Sequence, residues 1–220
     1  LSMLRDFEQH PMHQASRNNY IRYRLYYFTH YMNAHFLQGS FTEGLALVKE
    51  AQEFIDDYGP FLDTHRILVF YFKMASMHFG SGQLHQAVRY LNAIIQYREV
   101  SVRRDIQAYA HILNLISHFE LGNEEFVEYQ IKTTYRHLAK LEDTSMLSRI
   151  ILQFLRRLVY IERDELRREF RLLLKELQRM KQDPYEKHAI QYLDIISWLE
   201  SKLQNRPVQD IIQEKAKRRS

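Results

Sequence analysis

Cysteine is absent, and glycine and proline are scarce, at six and four in 220 residues. Without cysteine there is no disulfide framework, no thiolate nucleophile and no Cys-based zinc site, which fits a reducing, cytoplasmic setting. So few chain breakers leave little room for the turns of a β-sandwich or barrel, whereas long helices joined by short turns need few. Long apolar runs are missing too. None approaches the ~20 residues of a membrane span, and Leu1-Ser2-Met3-Leu4 lacks the basic-then-apolar pattern of a signal peptide, so no membrane association is expected. Position 1 is Leu, and the expectation is a piece of a longer chain. There is no Gly-x-Ser-x-Gly, no His-Glu-x-x-His and no phosphate-binding loop. Gly80-Ser81-Gly82 lacks the Lys-Ser/Thr that such a loop requires. The acidic pairs Asp56-Asp57, Glu124-Glu125 and Glu142-Asp143 fall at predicted helix ends, and at an N-terminus the helix dipole accounts for such charge. No catalytic residue, cofactor or metal is assigned, and the chain reads as a non-enzyme.

What the chain does have is a hydrophobic content of 45%, a charged content of 26% and a formal net charge of +4, values of an ordinary folded domain rather than a disordered one. The charge is unevenly placed. Residues 1–148 hold 14 Lys+Arg against 16 Asp+Glu, whereas residues 149–181 hold 10 against 5.

A repeat organises the sequence. His35-Phe36-Leu37-Gln38-Gly39, His78-Phe79-Gly80-Ser81-Gly82 and His118-Phe119-Glu120-Leu121-Gly122 all read His-Phe-x-x-Gly. Tyr160-Ile161-Glu162-Arg163-Asp164 is a degenerate fourth copy. Its anchor Asp164 and the three glycines recur about every 40 residues, a solenoid-like period. Each anchor lies between two stretches of helical periodicity. Helices are predicted over Asn19–Gln38, from a Ser40-Phe41-Thr42-Glu43 capping box to Gly59-Pro60, and over Thr64–Phe79, Leu84–Gln96, Arg103–Leu121, Glu124–Leu141, Ser145–Ile161 and Asp164–Gln182. Asp183-Pro184-Tyr185-Glu186 predicts a further start, running to Gln204, and Pro207 opens a last short helix through Ala216.

The stretch Tyr71-x-x-Met74-Ala75-x-x-His78-x-x-x-Gly82-x-Leu84-x-x-Ala87-x-x-x-Leu91 resembles the tetratricopeptide repeat, and Gly39-x-Phe41-x-x-Gly44-x-x-x-Val48-x-x-Ala51 resembles its second half. The resemblance implies an all-α fold, an α-solenoid of antiparallel helix pairs. The repeats would cover approximately 18–58, 63–97, 102–141 and 144–182, with C-terminal capping helices over 184–216. It also implies that Ala87 and Gly44 mark the closest approach of the two helices in a repeat. Asn114 and Val127 depart from the pattern in the third copy. Arg156, Arg157 and Glu169 fall at nominal core positions of the fourth, so its register must differ.

In this family the first helix of each pair lines a concave surface. Carried onto this chain by counting back from each glycine, that surface consists of Tyr26, Thr29, Asn33, Phe72, Ser76, Tyr109, Ile112 and Ile116. The resemblance thus implies a scaffold that binds a peptide or helix of a partner protein. The alternative is a nucleic-acid-associated or acidic-ligand-binding protein using the basic stretch 149–181. Interleaved acids and few aromatics there favour a salt-bridged helix face instead. A third reading is self-association through the first helix, where Tyr20, Tyr23, Tyr26, Tyr27, Phe28 and Tyr31 outnumber what one face can bury. The recurring His35, His78 and His118 are read as packed histidines satisfied locally. Neighbouring helices stand ~10 Å apart, too far for two of these rings to share a zinc ion at ~2.1 Å.

Overall fold

The computed structural model describes residues 16–97, 102–140, 146–158, 160–161, 163–180 and 194–218. Among them are ten α-helices and no strand. They are α1 (Arg17–Gln38), α2 (Phe41–Tyr58), α3 (Thr64–Gly80), α4 (Leu84–Ile95), α5 (Arg104–Glu120), α6 (Glu124–Lys140), α7 (Met146–Leu158), α8 (Arg163–Met180), α9 (Ile195–Gln204) and α10 (Val208–Lys217). A 3-10 turn, Gly59–Phe61, follows α2 where Pro60 denies the α-helix its next amide. The helix start expected at Asp183–Glu186 lies outside the described residues.

Each helix packs on the next from α1 to α8, and alternate helices α1, α3, α5 and α7 also pack side by side. The folding-back is set by three corners of one design. His35, His78 and His118 each accept, through their carbonyls, the amide of the residue five positions on: Ser40 at 3.1 Å, Gln83 at 2.8 Å and Asn123 at 3.0 Å. The intervening Gly39, Gly82 and Gly122 have φ of 71°, 80° and 74°. That is the left-handed region where a side chain would be strained, and the bond pattern is the Schellman helix stop. The fourth copy does not make this corner. Here α7 stops at Leu158, and Asp164, expected in the turn, is already inside α8.

The core explains the rest of the pattern. Ala87 and Ala75 are fully buried. Gly44 faces α3, where a Cβ would stand 2.7 Å from Met77 Sδ, so close packing offsets the cost of a helical glycine. Gly80 is tighter still, its Cβ position lying 2.5 Å from the Phe41 ring. In α5, eleven of seventeen residues are buried, polar ones included. The middle turns of this helix are enclosed by α3, α4, α6 and α7, which is why they carry no polar face. Its Asn114 pairs with Asn92 across to α4, and Gln107 donates to the Val102 carbonyl, so its polar groups are not left bare. In α7 and α8 the register shifts as expected. Phe154, Leu155, Phe170, Leu173 and Leu177 point inward, whereas Arg156 and Arg157 are exposed and Arg157 meets Glu169 at 3.5 Å.

The C-terminal pair does not simply extend the row. Helix α9 packs on α8, and α10 packs on α9 and on α1, bringing the end of the chain back to its first corner.

Candidate functional site

The face assigned from the sequence is only partly a surface. Tyr26 on α1 is 55% exposed, and Thr29, Asn33, Ser76 and Tyr109 are half-buried. Phe72, Ile112 and Ile116 are corrections, because they are core residues at 2%, 0% and 1% exposure. Phe72 faces its neighbour within the layer, its ring 6.3 Å from that of Tyr109. Ile112 and Ile116 share a helix face with Glu120, which lies two turns and one turn on, respectively. The Trp198 indole of α9 donates to Glu120 Oε1 at 2.7 Å, and Lys202 meets the same carboxylate at 2.8 Å. That end of the face is therefore occupied by the protein itself. The opposite end, with Tyr26 on α1 and Tyr109 on α5, is the more open one.

Lys73 of α3, which counting back from the glycine did not select, stands on this face. Its Nζ donates to Asn33 Oδ1 on α1 and lies 5.4 Å from the centre of the Phe36 ring. No carboxylate among the described residues pairs with it. Burial brings its pKa down to about 8, because a half-buried ammonium has lost water without gaining a counter-charge. The group stays largely protonated at neutral pH. A lone lysine within a helix otherwise rich in apolar residues is the signal that could have found it.

The three histidines act locally. His35 Nδ1 lies 2.7 Å from Ser40 Oγ, and the His78 ring donates to Gln83 Oε1 at 3.0 Å. His118 Nδ1 accepts from the Asn123 side-chain amide at 3.1 Å. Each side-chain bond doubles the backbone bond of the same corner. The Ser40 capping box accordingly does not form: Ser40 makes no side-chain cap to α2, since its hydroxyl is engaged by His35. Burial holds His78 and His118 below the ordinary histidine value, with Arg89 adding to the effect at His78 and His85 at His118. Among the described residues no three His, Asp or Glu side chains come together as a metal ion requires. His111 and His137 stack with their ring centres 4.8 Å apart.

The aromatics of α1 are largely used inside the molecule. Tyr20 packs on Phe54 and Tyr58 of α2, Tyr27 lies 4.5 Å from Tyr31, and Arg24 covers the Phe28 ring at 4.4 Å. Only Tyr26 of the six is largely exposed, stacked on His30. A shallow recess of about 260 Å³ at Ser16, Arg17, Tyr20 and Tyr58 brings no acid–base or nucleophile pair together. Among the described residues no helix is long and apolar enough to cross a membrane. No protein-family model matches the chain, and no curated protein or solved structure matches it.

Proposed function

We propose that this chain is a non-catalytic interaction scaffold, a tetratricopeptide-like solenoid that holds a segment of a partner protein against α1, α3 and α5. The observation that carries the reading is Lys73, which has no carboxylate partner among the described residues and lies between Asn33 and the Phe36 ring, on the half-open face that also bears Tyr26, Thr29, Ser76 and Tyr109. Three like corners and the side-by-side packing of alternate helices support the solenoid. Aromatic anchors flanking a cation suit a peptide that brings both an apolar side chain and a carboxylate.

The test is selection from a random peptide phage library, followed by hydrogen-exchange mapping of a selected peptide. The expected footprint covers Tyr26, Asn33, Lys73 and Tyr109, and Lys73→Met should weaken binding roughly tenfold or more, the loss of one charge-assisted contact. A footprint on α7 and α8, unchanged by Lys73→Met, sinks the reading.

One observation favours the second reading. On α8, Arg168, Arg171, Lys175 and Arg179 are all exposed, recur at three- and four-residue spacing, and pair with no carboxylate among the described residues. Such a stripe attracts acidic ligands or phosphates. Its binding should weaken steeply between about 50 and 200 mM salt if phosphates are the ligand. A peptide anchored on Tyr26 and Tyr109 should respond far less.

A further inference from the structure

The three corners share one backbone design, yet among the described residues only one is covered. At Gly82 and Gly122 an added Cβ meets nothing within 4 Å; at Gly39 it would stand 2.7 Å from the Gln213 amide nitrogen and 2.8 Å from the Gln209 carbonyl. The backbone of α10 therefore lies directly on the first corner, and only glycine admits it. Two amide side chains one turn apart straddle the crossing. Gln213 Nε2 donates to the Gly39 carbonyl at 3.1 Å, and Thr42 Oγ1 to Gln209 Oε1 at 2.8 Å. Between them Ile211 and Ile212 turn inward.

Helices α9 and α10 are held differently. Helix α9 is rooted in the aromatic core through Trp198, whose ring packs on Phe119, Phe154 and Phe170. Helix α10 buries two isoleucines, with Val208 half-buried, and is otherwise held by polar contacts. Lys215 meets Glu200 at 2.6 Å and Ser197 at 2.7 Å, and Arg206 meets Glu214 at 2.8 Å. The two helices join through Asn205, which has a φ of 53° and ends α9. A segment with few buried apolar groups opens at lower cost than the core it rests on.

We infer that α10 is an intramolecular ligand: the α1–α2 corner is a seat for an amphipathic helix, filled in cis by α10 and open to a partner helix bearing the same amide-x-aliphatic-aliphatic-amide pattern as Gln209–Gln213. The inference rests on the scaffold reading and adds its regulation, but the seat is distinct from the Tyr26–Lys73 face, so the two fail separately. The chain itself supplies the argument for the occupant, since the one corner covered among the described residues is covered by a helix of this chemistry.

The test uses the full chain and a fluorescein-labelled peptide of residues 207–218, read by anisotropy. Wild type should not bind the peptide, because its seat is filled. Ile212→Asp should release α10, retain the buried emission of Trp198, and bind the peptide one-to-one. Gly39→Ala should raise amide exchange in residues 208–217 by at least tenfold over Gly82→Ala, which carries the same left-handed strain with an open corner. The inference is overturned if Ile212→Asp keeps its Trp198 emission but ignores the peptide, or if that variant loses the Trp198 core or does not fold, since α10 is then integral to it. It is equally overturned if Gly39→Ala exchanges like Gly82→Ala.

Discussion

Acid should unfold this protein early, and one side chain accounts for much of the effect. His111 lies in the middle of α5 at 7% exposure. Burial, and then the neighbouring charge of His137, bring its pKa down from 6.5 to about 4. The folded chain thus holds His111 neutral over a range where the unfolded chain protonates it. Its contribution is intact above the unfolded value and is lost as pH falls through the window from 6.5 to about 4. At 1.36 kcal/mol per unit, the full loss is about 3 kcal/mol, and about 2 kcal/mol of it is gone by about pH 5. Against a typical total of ~5–15 kcal/mol, that is a large share. Urea melts monitored through Trp198 should show the unfolding free energy dropping by about this amount between about pH 7 and pH 5. His111→Phe, which keeps a ring in place and cannot protonate, should flatten that slope even if it changes stability at neutral pH. An acid slope that survives His111→Phe unchanged refutes the assignment and moves the sensitivity to other groups.

Three further outcomes follow from packing. Ala87→Leu places a large side chain where none is exposed and should cost ~1–3 kcal/mol in urea melts. Phe72→Ala should cost ~3–5 kcal/mol as a core truncation, so any loss of peptide binding in that variant should track its unfolded fraction. Gly80→Ala drives a methyl group to 2.5 Å from the Phe41 ring and should cost ~1–3 kcal/mol. Adding Phe41→Leu should return part of that cost, and a double-mutant cycle that proves additive shows that the two do not touch.

Much of the helix layout was legible because its signals are local. The Schellman corners announce themselves through glycine placed just after an aromatic-rich helix end, and the predicted ends at Gln38 and Phe79 fall within one residue of those observed. Gly44 was legible as a place of close helix contact, but the nearest side chain there is Met77 of the following pair, with His35 of its own pair next; Ala87 is buried. The candidate face was not legible, for a physical reason. Counting back from a glycine gives a position along a helix but not what arrives from elsewhere. Phe72 and Ile116 therefore carry the residue types of a groove while lying beneath Tyr109 and beside the α9 contact at Glu120. Ser40 was misread for a related reason. Its neighbours spell a capping box, but a histidine five residues earlier competes for the same hydroxyl and, at 2.7 Å in a half-buried setting, takes it.

The return of α10 has no sequence signature of its own, since Gln213 and Gly39 are separated by 174 residues and neither type is diagnostic. Its consequence is nevertheless specific. A row of paired helices with both ends free would present equivalent corners, differing only in side chains. Here the C-terminal pair breaks that equivalence: α9 takes the end of α5 through Glu120, α10 takes the end of α1 through Gly39, and no described residue covers the Gly82 corner between them. The ends of α5 and α1 are thereby occupied, whereas Tyr26 is exposed and Thr29 and Tyr109 are half-buried. If the two proposals hold, a partner helix taking the Gly39 seat has to displace α10 whereas a peptide on Lys73 does not, so the two modes of binding would differ in cost even though they share α1.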